Sequence, residues 1–172
     1  MINENTIAKL ATLVKVYNMN LDGGDMVLAD KKVPKKLQAA WRHNFELAKA
    51  RLESFVAAIE AMTGKAVILE RKDEFNRVTG VKVDGDDLTA ACGTAEVAAK
   101  IERHMAEGAR LTHSGSHIIY TSASGKVLHI QAFKNDREIF IPADFTICDD
   151  EGNTIREHIL SFQVIDIIRH GV

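Results

Sequence analysis

Apolar residues recur every three or four positions near the start of the chain, the spacing of a helix that buries one face. This pattern runs through residues 3–17 and predicts a short helix there. Its apolar face is formed by Ile7, Leu10, Val14 and Tyr17. The segment 18–26 contains Gly23 and Gly24 beside aspartates, which breaks the pattern and predicts a turn or loop.

A longer and more regular helical stretch follows. It is predicted from about Pro34 to Thr63, with Gly64 at the position where a helix ends in left-handed backbone. Its apolar positions alternate spacings of four and three, as in the heptad seam of a coiled coil. They are Trp41, Phe45, Ala48, Leu52, Phe55, Ile59 and Met62. Such a helix is roughly 45 Å long at ~1.5 Å per residue, longer than the core of a small domain. We therefore expect the seam to meet the N-terminal helix, another subunit, or both.

Residues rich in Val, Ile and Thr dominate the rest of the chain and predict strands. The stretches 66–72 and 77–85 can pair as a hairpin, and residues 94–107 predict a helix. The next two strands, 116–121 and 126–134, are joined by a short loop with Gly125 in the left-handed position.

That short loop fixes the register of the second hairpin. It sets Ile118 opposite Ile130, Tyr120 opposite Leu128 and His117 opposite Gln131, so that apolar residues meet on one face. Residues 137–141 predict a third strand, which Pro142 ends at a sheet edge or bend.

Residues 154–170 fit two structures. Their β-branched content favours a long final strand, whereas Thr154 and Glu157 match a capping box and His170 with Gly171 could end a helix. We favour the strand.

Together these elements predict an α+β fold: N-terminal helices including one long helix, then a β-hairpin, a helix and a mainly antiparallel C-terminal sheet. Residues 1–64 form a helical segment and residues 65–172 an α+β body, which we expect to fold as one unit. A chain of 172 residues is long enough to bury a core without disulfides or metals.

Composition narrows the class of protein without naming a reaction. The chain is 46% hydrophobic and 27% charged, with a net charge of -2, so overall charge does not indicate nucleic acid or an anionic membrane. No apolar run approaches the ~20 residues of a membrane helix, and the N-terminus lacks the features of a signal peptide. The two cysteines form no disulfide framework. A cytoplasmic protein is expected.

The histidines are the first candidates for chemistry. His113 and His117 lie four residues apart, and His129 lies diagonal to His117 on the neighbouring strand. Three converging imidazoles could bind a transition metal, with an acidic residue such as Asp136 completing the site. Polar residues on the solvated face of a sheet explain the same pattern, and we favour that interpretation. No cofactor is predicted.

Other motifs are less specific. Ser114 and Ser116 stand beside histidines but lack the GxSxG context of a nucleophile elbow. Cys92 could lie near a helix N-terminus, which lowers a thiol pKa, but a small buried residue is the preferred interpretation. The glycine-containing and acidic loops match neither phosphate-binding nor calcium-binding patterns.

A basic flank follows the long helix. It comprises Lys31, Lys32, Lys35, Lys36, Arg42 and Lys49. Such a row could contact phosphates, which would make binding salt-dependent. Glutamates at 46, 53 and 60 compensate much of it through i,i+4 spacing, as on exposed helix faces.

The seam is the most informative feature of the sequence. The leading hypothesis is a non-enzymatic accessory, inhibitor or assembly protein that binds protein chains and self-associates through its long helix. The expected interface residues are Trp41, Phe45, Leu52, Phe55 and Ile59. Two alternatives remain open: a nucleic-acid-binding accessory protein using the basic flank, and a small metal-dependent enzyme using the histidines.

Overall fold

The computed structural model of the chain describes residues 2–72, 76–135 and 143–171, and for residues 25–29 and 72 it describes the backbone alone. In chain order the elements are α1 (Glu4–Ala29), α2 (Lys35–Thr63), β1 (Val67–Lys72), β2 (Arg77–Val83), β3 (Asp86–Asp87), α3 (Thr89–His104), β4 (Arg110–Ser114), β5 (His117–Thr121), β6 (Val127–Lys134), β7 (Ala143–Asp149), β8 (Thr154–Ile159) and α4 (Ser161–His170). The predicted α+β class and order of elements are confirmed.

The first two helices form an antiparallel hairpin. At the start of α1 the Asn3 side chain accepts a hydrogen bond from the Thr6 N–H, which satisfies a donor of the first turn. At the end of α2, Gly64 has φ 69° and its N–H bonds the Glu60 carbonyl, as predicted. The heptad seam of α2 packs against α1, with Leu52 and Ile59 fully buried between them. The expectation that this seam meets the N-terminal helix is confirmed.

The predicted loop at residues 18–26 is wrong, because α1 continues through it to Ala29. Contacts distant in sequence hold this stretch in the helix. The Asn18 side chain donates to the Val78 carbonyl at 2.9 Å and accepts from the Val78 N–H at 3.0 Å. Asp22 forms an ion pair with Arg77. These contacts offset the helix cost of the two adjacent glycines.

The strands form two antiparallel sheets. A three-stranded sheet has the order β1-β2-β3, and a five-stranded sheet has the order β4-β5-β6-β7-β8. The predicted register of β5 with β6 is confirmed, including Ile118 opposite Ile130 and His117 opposite Gln131. Gly125 has φ 88° in the connecting turn. The predicted third strand at 137–141 and Pro142 lie outside the described residues.

Helix α3 begins earlier than predicted, at Thr89 rather than Thr94, and ends at His104. Residues 89–93 read as a loop in sequence because they include a glycine and small side chains. In the fold they are buried, since α3 lies between α1 with the three-stranded sheet on one side and the five-stranded sheet on the other. Small side chains let all of these neighbours approach closely.

The long final strand favoured for residues 154–170 is also wrong. Strand β8 ends at Ile159, next to the left-handed residue His158, and α4 follows from Ser161. The Gln163 side chain accepts from the Leu160 N–H and thus caps the new helix. Val164 and Ile165 turn into the core beneath the five-stranded sheet. The helix does end at His170 and Gly171.

The two glycines of α1 give a matched test of this packing. A Cβ at Gly23 would lie 2.7 Å from the Trp41 ring, whereas a Cβ at Gly24 meets no described atom within 4 Å. Gly24→Ala should stabilise by up to about 1 kcal/mol through helix propensity. Gly23→Ala should instead destabilise, because overpacking costs about 1–3 kcal/mol. Urea unfolding of both variants measures the difference. Equal stabilisation by Gly23→Ala and Gly24→Ala would contradict the close contact between Gly23 and the Trp41 ring.

Candidate protein-binding surface

Helix α2 is covered on one side. Its main contacts are with α1, and a smaller contact joins it to β1. The predicted interface residues form this covered side, which we call the inner seam: Trp41, Phe45, Leu52, Phe55 and Ile59. Leu52 and Ile59 are buried and the three aromatic residues are half-buried. The Phe45 ring lies 5.6 Å from the Tyr17 ring of α1. The inner seam is therefore occupied largely by the chain itself.

The opposite side of α2 carries a second row with the same alternation of four- and three-residue spacings. We call it the outer seam; its members are Lys36, Ala40, His43, Leu47, Ala50, Ser54, Ala57 and Ala61. All of them are exposed, and Leu47 is 41% exposed. An outward helix face with four alanines and a leucine resembles a packing face more than a solvated one. The outer seam was not predicted from the sequence because alanine is only weakly apolar, although the spacing of its members is visible there.

A groove runs beside the outer seam, between α1 and α2. Its volume is about 490 Å³, and its lining combines apolar residues with two cations. The lining residues are Lys9, Leu13, Ala50, Arg51, Ser54, Phe55 and Ala58. The Lys9 ammonium lies 4.8 Å from the centre of the Phe55 ring. Phe55 thus belongs both to the inner seam and to the accessible edge of the hairpin.

The basic flank is divided between two places. Lys31, Lys32, Lys35 and Lys36 are all exposed at the turn between α1 and α2 and the start of α2. Arg42 is exposed further along the helix and Lys49 is half-buried. The structure therefore concentrates four lysines at the tip of the hairpin and separates them from the other two residues.

The structure brings two of the three candidate histidines together. His117 Nε2 and His129 Nδ1 are 3.2 Å apart with nearly parallel rings, and His129 Nε2 lies 3.4 Å from Asp150 Oδ1. His113 pairs with Ile118 and so points to the other face of the sheet, 3.9 Å from Glu4. Within the described ranges, no group of three or more His, Cys, Asp or Glu side chains could hold a metal ion. Asp136 lies outside those ranges.

Two of the three candidate nucleophiles, Ser116 and Cys92, are hydrogen-bonded to another residue or buried, and Ser114 is exposed. Ser116 Oγ accepts a hydrogen bond from the Gln131 side chain at 2.7 Å, rather than from a histidine. Cys92 is 1% exposed, and burial, helped by the charge of Asp87, raises the pKa of its thiol to about 12. The preferred sequence interpretation of Cys92 as a small buried residue is confirmed.

A buried charged cluster joins α1 to α3 and was not predicted. Glu96 is 7% exposed, and its carboxylate lies 2.5 Å from Lys15 Nζ and 3.5 Å from Lys100 Nζ. Burial, followed by the charge of Lys15, lowers the pKa of Lys100. The i,i+4 spacing of Glu96 and Lys100 was the available signal, but Lys15 comes from a distant helix. This cluster fixes α1 against α3, which in turn sets the position of α2.

A second charged cluster holds the two sheets together. Glu70 of β1 accepts from Lys82 of β2 and from Lys134 of β6, each at 2.7 Å. The hydrogen bond from Lys134, then that from Lys82, lowers the pKa of Glu70, and the same contact raises the pKa of Lys134. Both charges are therefore present at neutral pH. Their contribution to stability falls as acid protonates Glu70 or alkali deprotonates Lys134.

Comparisons with known proteins do not identify a family for this chain. No protein-family model matches the chain, and neither a curated protein nor a solved structure matches it significantly. No helix within the described residues is both long and apolar enough to cross a membrane. The function must therefore be inferred from the surface that the fold presents.

The two cysteines should differ sharply in reactivity. An aromatic disulfide reagent at pH 8 should modify half-buried Cys148 in the native protein and Cys92 only in denaturant, because Cys92 is buried and protonated. Absorbance of the released thiolate counts the modified groups. The Cys148→Ser variant is the control and should show almost no native reaction. Rapid modification of that variant would contradict the buried position of Cys92.

Proposed function

We propose that the protein is a non-enzymatic cytoplasmic accessory or assembly protein that binds protein chains and self-associates through α2. This proposal rests mainly on the exposed outer side of α2, a helix of 29 residues. Free, unpaired cysteines support an intracellular location. The inner seam holds α2 against α1 and so supports this surface. The half-buried Phe55 adds apolar area at the edge of the helical hairpin.

The fold explains why α2 is available for a partner. Helix α1 packs on α3 and on β2, whereas α2 packs chiefly on α1. The outer seam therefore faces away from the rest of the chain. Apolar residues also remain exposed at the two ends of α2, on the side of the inner seam, since Leu37 is 48% and Met62 74% exposed. An exposed apolar face of a helix is typical of a protein-binding site.

A charge placed at the centre of the outer seam should separate the subunits. Wild-type protein should show a concentration-dependent dimer in sedimentation equilibrium, and Leu47→Glu should weaken it at least tenfold, since it would bury an unpaired carboxylate. Leu47 is exposed in the single chain, so its fold should survive.

The matched control is Phe162→Glu, which changes an apolar residue on α4 that is also exposed, at 60%, and should dimerise like the wild type. Wild-type protein that stays monomeric at high micromolar concentration would overturn self-association. A dimer that tolerates Leu47→Glu would place the interface elsewhere.

A second candidate function rests on the tip of the hairpin. Four exposed lysines lie within six residues there. Among the described residues, these four lysines make no ion pair. Such a cluster could contact the phosphates of a nucleic acid without reading its sequence.

This alternative predicts salt-sensitive binding to DNA or RNA. Lys31→Gln combined with Lys32→Gln should lower the slope of log affinity against log salt by about two for duplex DNA, because each lost phosphate contact removes roughly 0.9. Fluorescence anisotropy at two salt concentrations measures it. The control, Lys126→Gln with Arg169→Gln, removes the same charge from exposed positions elsewhere. The absence of salt-dependent binding by wild-type protein would exclude this function.

A further inference from the structure

Charged residues along one flank of the outer seam have a self-complementary order. The members of this flank are Lys35, Arg42, Glu46, Lys49, Glu53 and Glu60. The cations of this flank are seven residues apart, at 35, 42 and 49, and so are its glutamates, at 46, 53 and 60. Because seven residues are nearly two helical turns, both sets follow the same side of α2. The N-terminal half of this row begins with two cations, and the C-terminal half ends with two carboxylates.

We propose that two copies of α2 pair antiparallel through their outer seams, about a twofold axis that passes between Leu47 and Lys49. This proposal rests on the proposed self-association and specifies its geometry. A twofold axis perpendicular to two antiparallel helices keeps the same flank of both on one side, so the charge row meets its own copy.

The resulting flank pairs are all of opposite sign. Lys35 lies opposite Glu60 of the partner subunit, and Arg42 lies opposite Glu53 of the partner subunit. Glu46 lies opposite Lys49 of the partner subunit, next to the axis. Each pair forms twice by symmetry. Among the described residues, the six members of this flank make no ion pair within the chain, although Glu60 Oε1 accepts a hydrogen bond from the Val67 N–H at 2.9 Å.

The outer seam is symmetric about a point one residue further along α2: its pairs centre between Ala48 and Lys49, whereas the charged pairs centre between Leu47 and Ala48. The two points are ~1.5 Å apart along the helix, which long charged side chains can span. Leu47 meets Ala50 of the partner subunit, and Ala40 meets Ala57 of the partner subunit. A leucine therefore faces an alanine, and an alanine faces an alanine. Such small contacts let the two helices approach closely.

The other flank is compatible with this pairing. There, Arg51 lies opposite Asn44 of the partner subunit, so like charges do not meet.

A parallel pair, in contrast, would place the two charge rows on opposite sides of the dimer, where they could not interact. The order of charges therefore selects the antiparallel arrangement.

Cysteine crosslinking tests the orientation directly. In a Cys148→Ser background, Ala40→Cys mixed with a tagged Ala57→Cys chain should form a disulfide-linked heterodimer under mild oxidation. Neither variant alone should crosslink to itself, because its two cysteines would be ~25 Å apart and a disulfide needs Cα atoms within about 7 Å. Non-reducing gels separate the three products by size.

The outcomes distinguish this inference from the proposed function. A wild-type monomer in sedimentation overturns both. A wild-type dimer in which each variant crosslinks to itself, or in which none crosslinks, overturns the antiparallel pairing alone.

Charge reversal supplies a second measurement that does not depend on oxidation. Arg42→Glu or Glu53→Arg should each weaken the dimer by roughly tenfold at low salt, whereas the double variant Arg42→Glu with Glu53→Arg should restore it. A double variant as weak as the single variants would also overturn the pairing.

Discussion

The position of α3 between two cores is the constraint on which the rest of the structure depends. One side of α3 contributes Ala91, Cys92 and Ala95 to the core under α1 and the three-stranded sheet. The other side contributes Val97 and Ile101 to the core of the five-stranded sheet. Because the first side is built of small residues, α1 can lie directly on it. Helix α2 is then left with α1 as its main support, and no part of the body that the structure describes covers its outer seam.

Local patterns predicted the elements whose stability is largely local. The ends of α2 followed from Pro34 and Gly64, and the β5–β6 register followed from the turn at Gly125. The errors fell where distant contacts decide the structure. Helix α1 passes through Gly23 because Trp41 packs against it and Asn18 and Asp22 bind β2. Helix α3 begins at Thr89 because burial on both sides stabilises a segment whose composition suggests a loop.

The candidate surface was predicted in part, for a related reason. The sequence indicated that α2 would carry a seam and that the seam would need a partner, and α1 is one such partner. It did not separate the inner seam from the outer one, because large apolar residues dominate any periodicity and alanines do not. The proximity of His117 and His129 followed from the register, whereas the position of His113 on the other face of the sheet depended on β4, which was not predicted.

The composition of the outer seam also indicates what kind of association it supports. Leu47 is its one large apolar residue, and the others are small or polar. Burying such a surface contributes less than burying a leucine-rich seam, because the hydrophobic gain scales with apolar area. A single chain can therefore expose it without the penalty of a large apolar patch. Exposed ion pairs add about 0.2–1 kcal/mol each, so the charged flank contributes orientation more than affinity. The proposed assembly would therefore be reversible, with Leu47 supplying contact and the order of charges supplying direction.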